Sequence, residues 1–164
     1  MIIIVFGLPG SGKSYFASRL ATAISAGYIN SDRKRKLMFA ERTYTAAEKL
    51  SVYEEMLLLM KEAIKDAKDL VVDATFYKQD LRQKFMEAAE RGNIIFIEIK
   101  AGEELTRQRL RKERKDSEAD FSVYKLIQSL WEPLLQEHLT LESTDSNIND
   151  MIRTAIAYIK QKRQ

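Results

Sequence analysis

The sequence predicts an α/β domain: three layers, with a five-stranded parallel sheet between helices and a helical lid. Short, unbroken apolar runs alternate with longer amphipathic stretches, the pattern of strands joined by crossover helices. The runs show no polar alternation, as strands covered on both faces require. A glycine-rich loop joins the first run to the first amphipathic stretch. At 164 residues the chain is expected to form a single domain over residues 1–164, with the lid at about 102–120.

The elements follow in order. Ile2 to Phe6 is apolar throughout and predicts the first strand. Residues 14–21 read as a helix with Phe16, Leu20 and Ala23 or Ile24 on one stripe. Tyr28-Ile29-Asn30, after Gly27, is a short second strand, expected beside the first in the usual doubly wound layout. Residues 35–40 read as a short helix. Thr45-Ala46-Ala47-Glu48 is a capping box, opening a long helix to about Lys68. Leu70-Val71-Val72-Asp73 is a third strand ending in a carboxylate. A helix over residues 80–91 is stopped by Gly92-Asn93. Residues 94–99 form the fourth strand, and a charged helix covers residues 102–114. A further helix is expected over residues 120–137, containing Pro133. Residues 139–141 form the fifth strand, and residues 148–160 the closing helix.

Gly7-Leu8-Pro9-Gly10-Ser11-Gly12-Lys13-Ser14 fits G-x-x-x-x-G-K-[ST] at every fixed position, between a strand and a helix. That context makes it a phosphate-binding P-loop, and the fold the three-layer P-loop NTPase fold. Backbone N–H groups and the helix N-terminus meet a triphosphate, with Tyr15 just inside the helix. Lys13 reaches the β/γ-phosphates and the Ser14 hydroxyl ligands Mg²⁺. ATP and Mg²⁺ are thus the expected cofactors.

Composition narrows the class. The chain has no cysteine, which excludes disulfides and thiolate chemistry. The N-terminal apolar run is too short for a signal peptide, and no stretch suits a membrane span, so the cytoplasm is the default expectation. Net charge is +3, weak evidence about partners, although residues 33–36 and 107–115 concentrate positive charge. The one histidine, His138, has no paired metal ligand and reads as structural. Trp131 reads as a core or lid-hinge contact. Phe76-Tyr77 is a weak candidate for stacking on a base.

The Asp-x-x-Gly and Asn-Lys-x-Asp motifs of GTPases do not occur. Asp73 is followed by Ala74-Thr75, without the second carboxylate of motor ATPases. A kinase remains, which binds an acceptor hydroxyl and excludes water. Asp32, just past the second strand, is placed to accept the acceptor's proton, or else to cap a helix starting at Arg33. Asp73 is placed to hold Mg²⁺, and Thr75 to touch acceptor or phosphate. Arg107, Arg111 and Arg114 share one helix face and Arg109 lies on another, so the helix alone does not select the arginines that neutralise the γ-phosphoryl group.

These segments resemble the P-loop kinase group that contains the polynucleotide 5′-hydroxyl kinases and the bacterial kinases of AAA_33 or zeta-toxin-like type. The resemblance covers essentially the whole chain. It is carried by residues 7–14, Ile29-Asn30-Ser31-Asp32-Arg33-Lys34-Arg35, Val71-Val72-Asp73-Ala74-Thr75 with Arg82, residues 109–120, and Trp131-Glu132-Pro133. It implies that Asp32 is the general base, that Arg35 contacts substrate phosphate, and that a lid pair, Arg109 and Arg114, clamps the ATP phosphates. Those two are five apart where the family spaces four. Arg82 joins Arg35 on the acceptor side. The expected acceptor is a nucleic-acid 5′-hydroxyl, RNA or DNA, supported by the basic run beside Asp32. The alternatives are a small-metabolite kinase and, from a different class, a nucleotide-binding regulator with little transfer.

Overall fold

The computed structural model describes residues 1–89, 93–112 and 119–163. Among the described residues twelve elements follow one another: β1 (Ile2–Phe6), α1 (Lys13–Ala23), β2 (Gly27–Asn30), α2 (Ser31–Met38), α3 (Ala46–Lys65), β3 (Leu70–Asp73), α4 (Gln79–Ala88), β4 (Ile94–Lys100), α5 (Glu103–Arg111), α6 (Phe121–Ser129), β5 (Leu139–Glu142) and α7 (Ile148–Lys162). The five strands form one parallel sheet in the order β2-β3-β1-β4-β5. The fold class is as the sequence predicts.

Both faces of the sheet are covered, which is why β1 is apolar at every position, and β3 and β4 everywhere but at Asp73, Glu98 and Lys100 toward their carboxyl ends. Ile2, Ile4 and Phe6 of β1 point to one side, among Val52, Met56 and Met60 of α3 and Phe85 of α4. Ile3 and Val5 point to the other, among Phe16 and Leu20 of α1 and Met151, Ala155 and Ile159 of α7. Burying a large aliphatic side chain contributes about 1.5–3 kcal/mol, so these two apolar layers dominate the stability of the domain.

One expected neighbour relation is wrong. β2 is an edge strand, and β3 lies between it and β1. The register sets Val5 opposite Asp73, and Asp73 opposite Asn30. On the far side, Phe6 faces Glu98 of β4. The carboxyl ends of β2, β3, β1 and β4 therefore present Asn30, Asp73, the glycine-rich loop and Glu98 along one rim, where open α/β sheets bind ligands.

Several boundaries also differ. α2 begins at Ser31, four residues before the expected Arg35, because Asn30 caps it: Asn30 Oδ1 accepts from Arg33 N at 2.9 Å. The capping box at Thr45 is present, with Glu48 N donating to Thr45 Oγ1 at 3.3 Å. The helix expected over 120–137 ends at Ser129. Pro133 cannot supply an N–H to a continuing helix, and Trp131 instead stacks on Phe6, ring centroids 6.0 Å apart. α5 ends at Arg111, and residues 113–118 lie outside the described ones. So does the expected stop at Gly92.

Candidate active site on the phosphate loop

The loop before α1 needs glycine where the backbone turns and crowds. Gly12 has φ +89°, and a Cβ there would lie 2.9 Å from Ser143 Oγ. At Gly7 a Cβ would meet the Ile99 carbonyl oxygen at 2.3 Å. Both positions exclude side chains, so the loop is held against β4, α5 and the loop after β5. α1 has no side-chain cap and no acidic residue in its first turn, which leaves its N-terminal N–H groups for an anion. Lys13 Nζ turns back to the Leu8 carbonyl at 3.4 Å. Pro9, Gly10 and Ser11 are buried in the loop, Leu8 is half-buried, and Tyr15 is exposed beneath Arg19.

Next to Lys13, one polar network joins β2, β3 and the start of α1. Asn30 Nδ2 donates to Asp73 Oδ2 at 2.6 Å and to Ser14 Oγ at 3.3 Å. Tyr28 OH donates to the same Asp73 oxygen at 2.9 Å. Asp73 is fully buried, and its Oδ1 has no partner among the described residues. Burial pushes the Asp73 carboxyl up, against the Lys13 charge and hydrogen bonds from Ser14, Asn30 and Tyr28. A buried carboxylate oxygen without a partner, beside a hydroxyl and an anion-binding helix end, fits Mg²⁺ shared with phosphate. Among the described residues no cluster of three acidic or histidine side chains exists that could hold a metal by itself. The pair of Ser14 and Asp73 therefore suits a cation that takes its remaining ligands from substrate and water.

Asp32 sits in the first turn of α2, half-buried. Asn30 provides the cap, so capping is not the role of Asp32. Thr75 is half-buried two residues beyond Asp73. Arg35 is buried in a tie between helices: its Nη1 donates to Glu48 Oε1 at 2.6 Å and its guanidinium lies 5.0 Å from the Tyr44 ring centroid. Burial raises the Glu48 carboxyl, but Arg35 and the donors of Thr43 and Tyr44 outweigh it and hold Glu48 down at about 2. A depressed carboxylate gives stability that is present above its ordinary 4.5 and is lost as pH falls toward 2. Urea midpoints measured across that window should fall with acidification, and the fall should be shallower in Glu48→Gln.

Arg82, expected on the acceptor side, is engaged in protein contacts. It is fully buried, with Nη1 on the Phe76 carbonyl at 3.1 Å and Nη2 on Gln79 Oε1, the Glu132 carbonyl and the Pro133 carbonyl. Burial also lowers its pKa, opposed by the Glu132, Glu98 and Asp80 charges. Phe76, which it holds, has φ +47° in the loop after β3. Arg82 thus braces a left-handed residue three positions beyond Asp73.

The lid arginines divide as the helix geometry requires. Arg107 stays on α5, near Glu103 and over the Phe121 ring at 4.0 Å. Arg109 reaches the phosphate loop itself. Its Nη1 donates to the Ser11 carbonyl at 3.2 Å and to Ser143 Oγ at 3.0 Å, and its Nη2 to the Thr144 carbonyl at 2.9 Å. It clamps the loop to the segment after β5. Arg114 lies outside the described residues.

Tyr28 and Asn30 escaped the sequence reading as site residues, although Asn30 at a strand end before a helix carries the signal of a cap. Lys49 was also missed: it lies 3.7 Å from the Tyr77 ring centroid, and burial lowers its pKa against the opposing effect of Tyr77.

The fold recurs in solved structures. A sugar kinase from Janibacter sp. HTCC2649 matches with a TM-score of 0.75 at 15% identity, covering 97% of this chain and 94% of that one. A gluconokinase from Sinorhizobium meliloti 1021 matches at 0.72 and 20% identity, over 97% and 91%. The Mycobacterium tuberculosis APS kinase CysC, in complex with AMPPNP and APS, matches at 0.74 and 15% identity, over 97% and 96%. No curated protein sequence matches the chain. The family AAA_33, an AAA domain, matches residues 2–134. The chain belongs to the AAA_33 family.

Proposed function

We propose that the chain is a phosphotransferase that binds ATP on residues 7–14 and moves the γ-phosphoryl group to a hydroxyl of a small metabolite. The observation that carries this reading is the convergence on one loop of an open α1 N-terminus, Lys13, Ser14 and the unpartnered Asp73 Oδ1. On it, the acceptor oxygen forms a bond to the γ-phosphorus as the bond to the bridging oxygen breaks. ADP leaves with that electron pair, and Asp32 takes the acceptor's proton. Lys13 offsets charge on the γ-oxygens. Ser14 Oγ and Asp73 Oδ1 are the groups that would hold Mg²⁺, whose charge would support the same stabilisation. Arg109, docked on the Ser11 carbonyl and on the segment after β5, stands beside the bound nucleotide.

The small acceptor is favoured over a nucleic-acid 5′-hydroxyl by the state of the arginines. The nucleic-acid expectation rested on the basic run at residues 33–36 beside Asp32, and of that run Arg35 is buried against Glu48. The sugar, gluconate and APS kinases that share the fold lend support to a small acceptor. The test is transfer from γ-labelled ATP, with Mg²⁺, to small hydroxyl compounds and to 5′-hydroxyl oligonucleotides. Label on a small acceptor is expected, with a KM nearly flat between 50 and 200 mM salt. Labelled oligonucleotide ends, with affinity falling about 10³-fold or more over that range, would reinstate the nucleic-acid acceptor.

A further inference from the structure

Three cations gather beside the loop after β3. Lys49, in the first turn of α3, is half-buried, with its Nζ 3.7 Å from the Tyr77 ring centroid. Lys78 Nζ approaches the same ring at 5.9 Å, and Arg35 reaches in from α2. Arg35 and Lys78 each have a carboxylate of their own. Arg35 Nη1 meets Glu48 Oε1 at 2.6 Å, and Lys78 Nζ meets Glu132 Oε1 at 3.1 Å. Lys49 has none among the described residues: the groups that act on it are the Tyr77 hydroxyl, Arg35 and Lys78. A half-buried ammonium beside two other cations is unfavourable until an anion joins it. The Tyr77 ring holds the Nζ in place, which lowers the cost of ordering it on that anion.

The same region borders Asp32. Tyr53 follows Lys49 by one turn of α3 and shares its face. Its hydroxyl accepts from Phe76 N at 3.2 Å, which ties α3 to the loop that carries Thr75 and Tyr77. Burial raises the Tyr53 pKa, opposed by the Phe76 N–H and Arg35, and the charges of Asp32 and Tyr77 add to the rise. Asp32 and Arg35 are one turn apart on α2. Asp32, Thr75, Tyr77 and Lys49 therefore border one region, between α2, α3 and the loop after β3.

We infer that Lys49 receives a carboxylate of the acceptor, and that the acceptor is a small hydroxy acid whose hydroxyl turns to Asp32. The inference rests on the phosphotransferase reading and names its substrate class. One cation without a partner matches one negative charge. A phosphate ester carries more, and suits the guanidinium fork that Arg35 has already given to Glu48. In the transfer the hydroxyl oxygen bonds to the γ-phosphorus, its proton passes to Asp32 and ADP leaves with the electron pair, while the carboxylate stays ionised on Lys49. A single, partly desolvated pair is weakly screened, in keeping with an acceptor KM that is nearly flat in salt.

The test is calorimetric titration of the protein, saturated with Mg²⁺ and a non-hydrolysable ATP analogue. The titrants are D-glycerate, D-threonate and D-gluconate, their neutral counterparts glycerol, D-threitol and D-glucitol, and the phosphate esters glycerol 3-phosphate and glucose 6-phosphate. Label transfer from γ-labelled ATP to each compound is measured in parallel. At least one hydroxy acid is expected to bind about tenfold or more tightly than its neutral counterpart, and to accept label. Lys49→Gln should raise the Kd and KM of that acid about tenfold with kcat within about twofold, and leave the neutral compounds unchanged. Lys49→Arg should recover most of the loss. Lys78→Gln, which removes a cation already held by Glu132, should change the acid Kd by less than about twofold. A merely structural Lys49 predicts instead a lower urea midpoint in Lys49→Gln, with acid and neutral compounds shifted alike. That pattern, no preference for any acid, tighter binding of a phosphate ester than of every acid, or an unchanged acid Kd in Lys49→Gln overturns the inference. Label on a neutral alcohol, with KM unaltered in Lys49→Gln, overturns it and leaves the phosphotransferase reading standing. A hydroxy acid whose binding depends on Lys49, with no compound ever labelled, overturns that reading and leaves Lys49 as an anion site.

Discussion

Asp32→Asn is expected to lower phosphoryl transfer by about 10²–10⁴-fold while nucleotide affinity stays close to that of the wild type. Asparagine keeps the size and the hydrogen-bonding capacity of the side chain but cannot take a proton. The helix itself is not at risk, because α2 is capped by Asn30 through Arg33 N and not by Asp32. Lys13→Ala should remove at least as much activity but through a different route. It deletes the cation nearest the Leu8 carbonyl at the head of the cradle, and so weakens both nucleotide binding and the transition state. Single-turnover transfer from labelled ATP, alongside calorimetric nucleotide binding, separates the two. Full turnover by Asp32→Asn would remove Asp32 as the base. A loss of nucleotide binding in that variant would move Asp32 to the nucleotide instead.

The sheet was legible in the sequence because its strands differ in exposure. Leu70 to Val72 are apolar and buried on both faces, and the same holds for β1 and most of β4. A run of that kind needs no partner information to be recognised. The order of the strands does need it. β2 reads Gly27-Tyr28-Ile29-Asn30 and is half-exposed, while β3 is buried throughout, and that contrast is what sends β2 to the edge and β3 beside β1. Polarity within the run was the available signal, and the expected layout overrode it.

The site divides in the same way. The glycines, Lys13 and Ser14 follow from local chemistry, since the loop and the helix start are contiguous, and Asp73 follows from ending an unbroken apolar run. The Asn30 and Tyr28 contacts to Asp73 span 43 and 45 residues and depend on the register of two parallel strands. Arg109 was visible as an arginine on a separate helix face. Its place against residues 143 and 144, 34 and 35 residues further along the chain, depends on where β5 ends. Arg82 is a case of the same kind. An arginine near a proposed phosphate site reads as a ligand unless the carbonyls it serves are known, and two of those lie 50 and 51 residues away.

Arg82→Ala should therefore act on stability before it acts on catalysis. The guanidinium serves the carbonyls of Phe76, Glu132 and Pro133 and the Gln79 side chain, all from a fully buried position. Removing it strands the buried Phe76 carbonyl, at about 1–3 kcal/mol, loses the part-buried bonds to Gln79, Glu132 and Pro133, and leaves a void against the Phe6 ring, 5.9 Å from the guanidinium carbon. Because such losses share one network and do not add fully, a total of about 3–5 kcal/mol is expected from urea unfolding. Arg82→Lys should rescue little, since an ammonium cannot reproduce the fork that reaches both Phe76 and the 132–133 segment. The two segments it joins carry Thr75 and Trp131, so a folded variant should also show a raised acceptor KM with nucleotide affinity unchanged. An acceptor-binding arginine predicts the opposite pattern, normal unfolding with impaired transfer. Stability within about 1 kcal/mol of wild type would return Arg82 to the acceptor side.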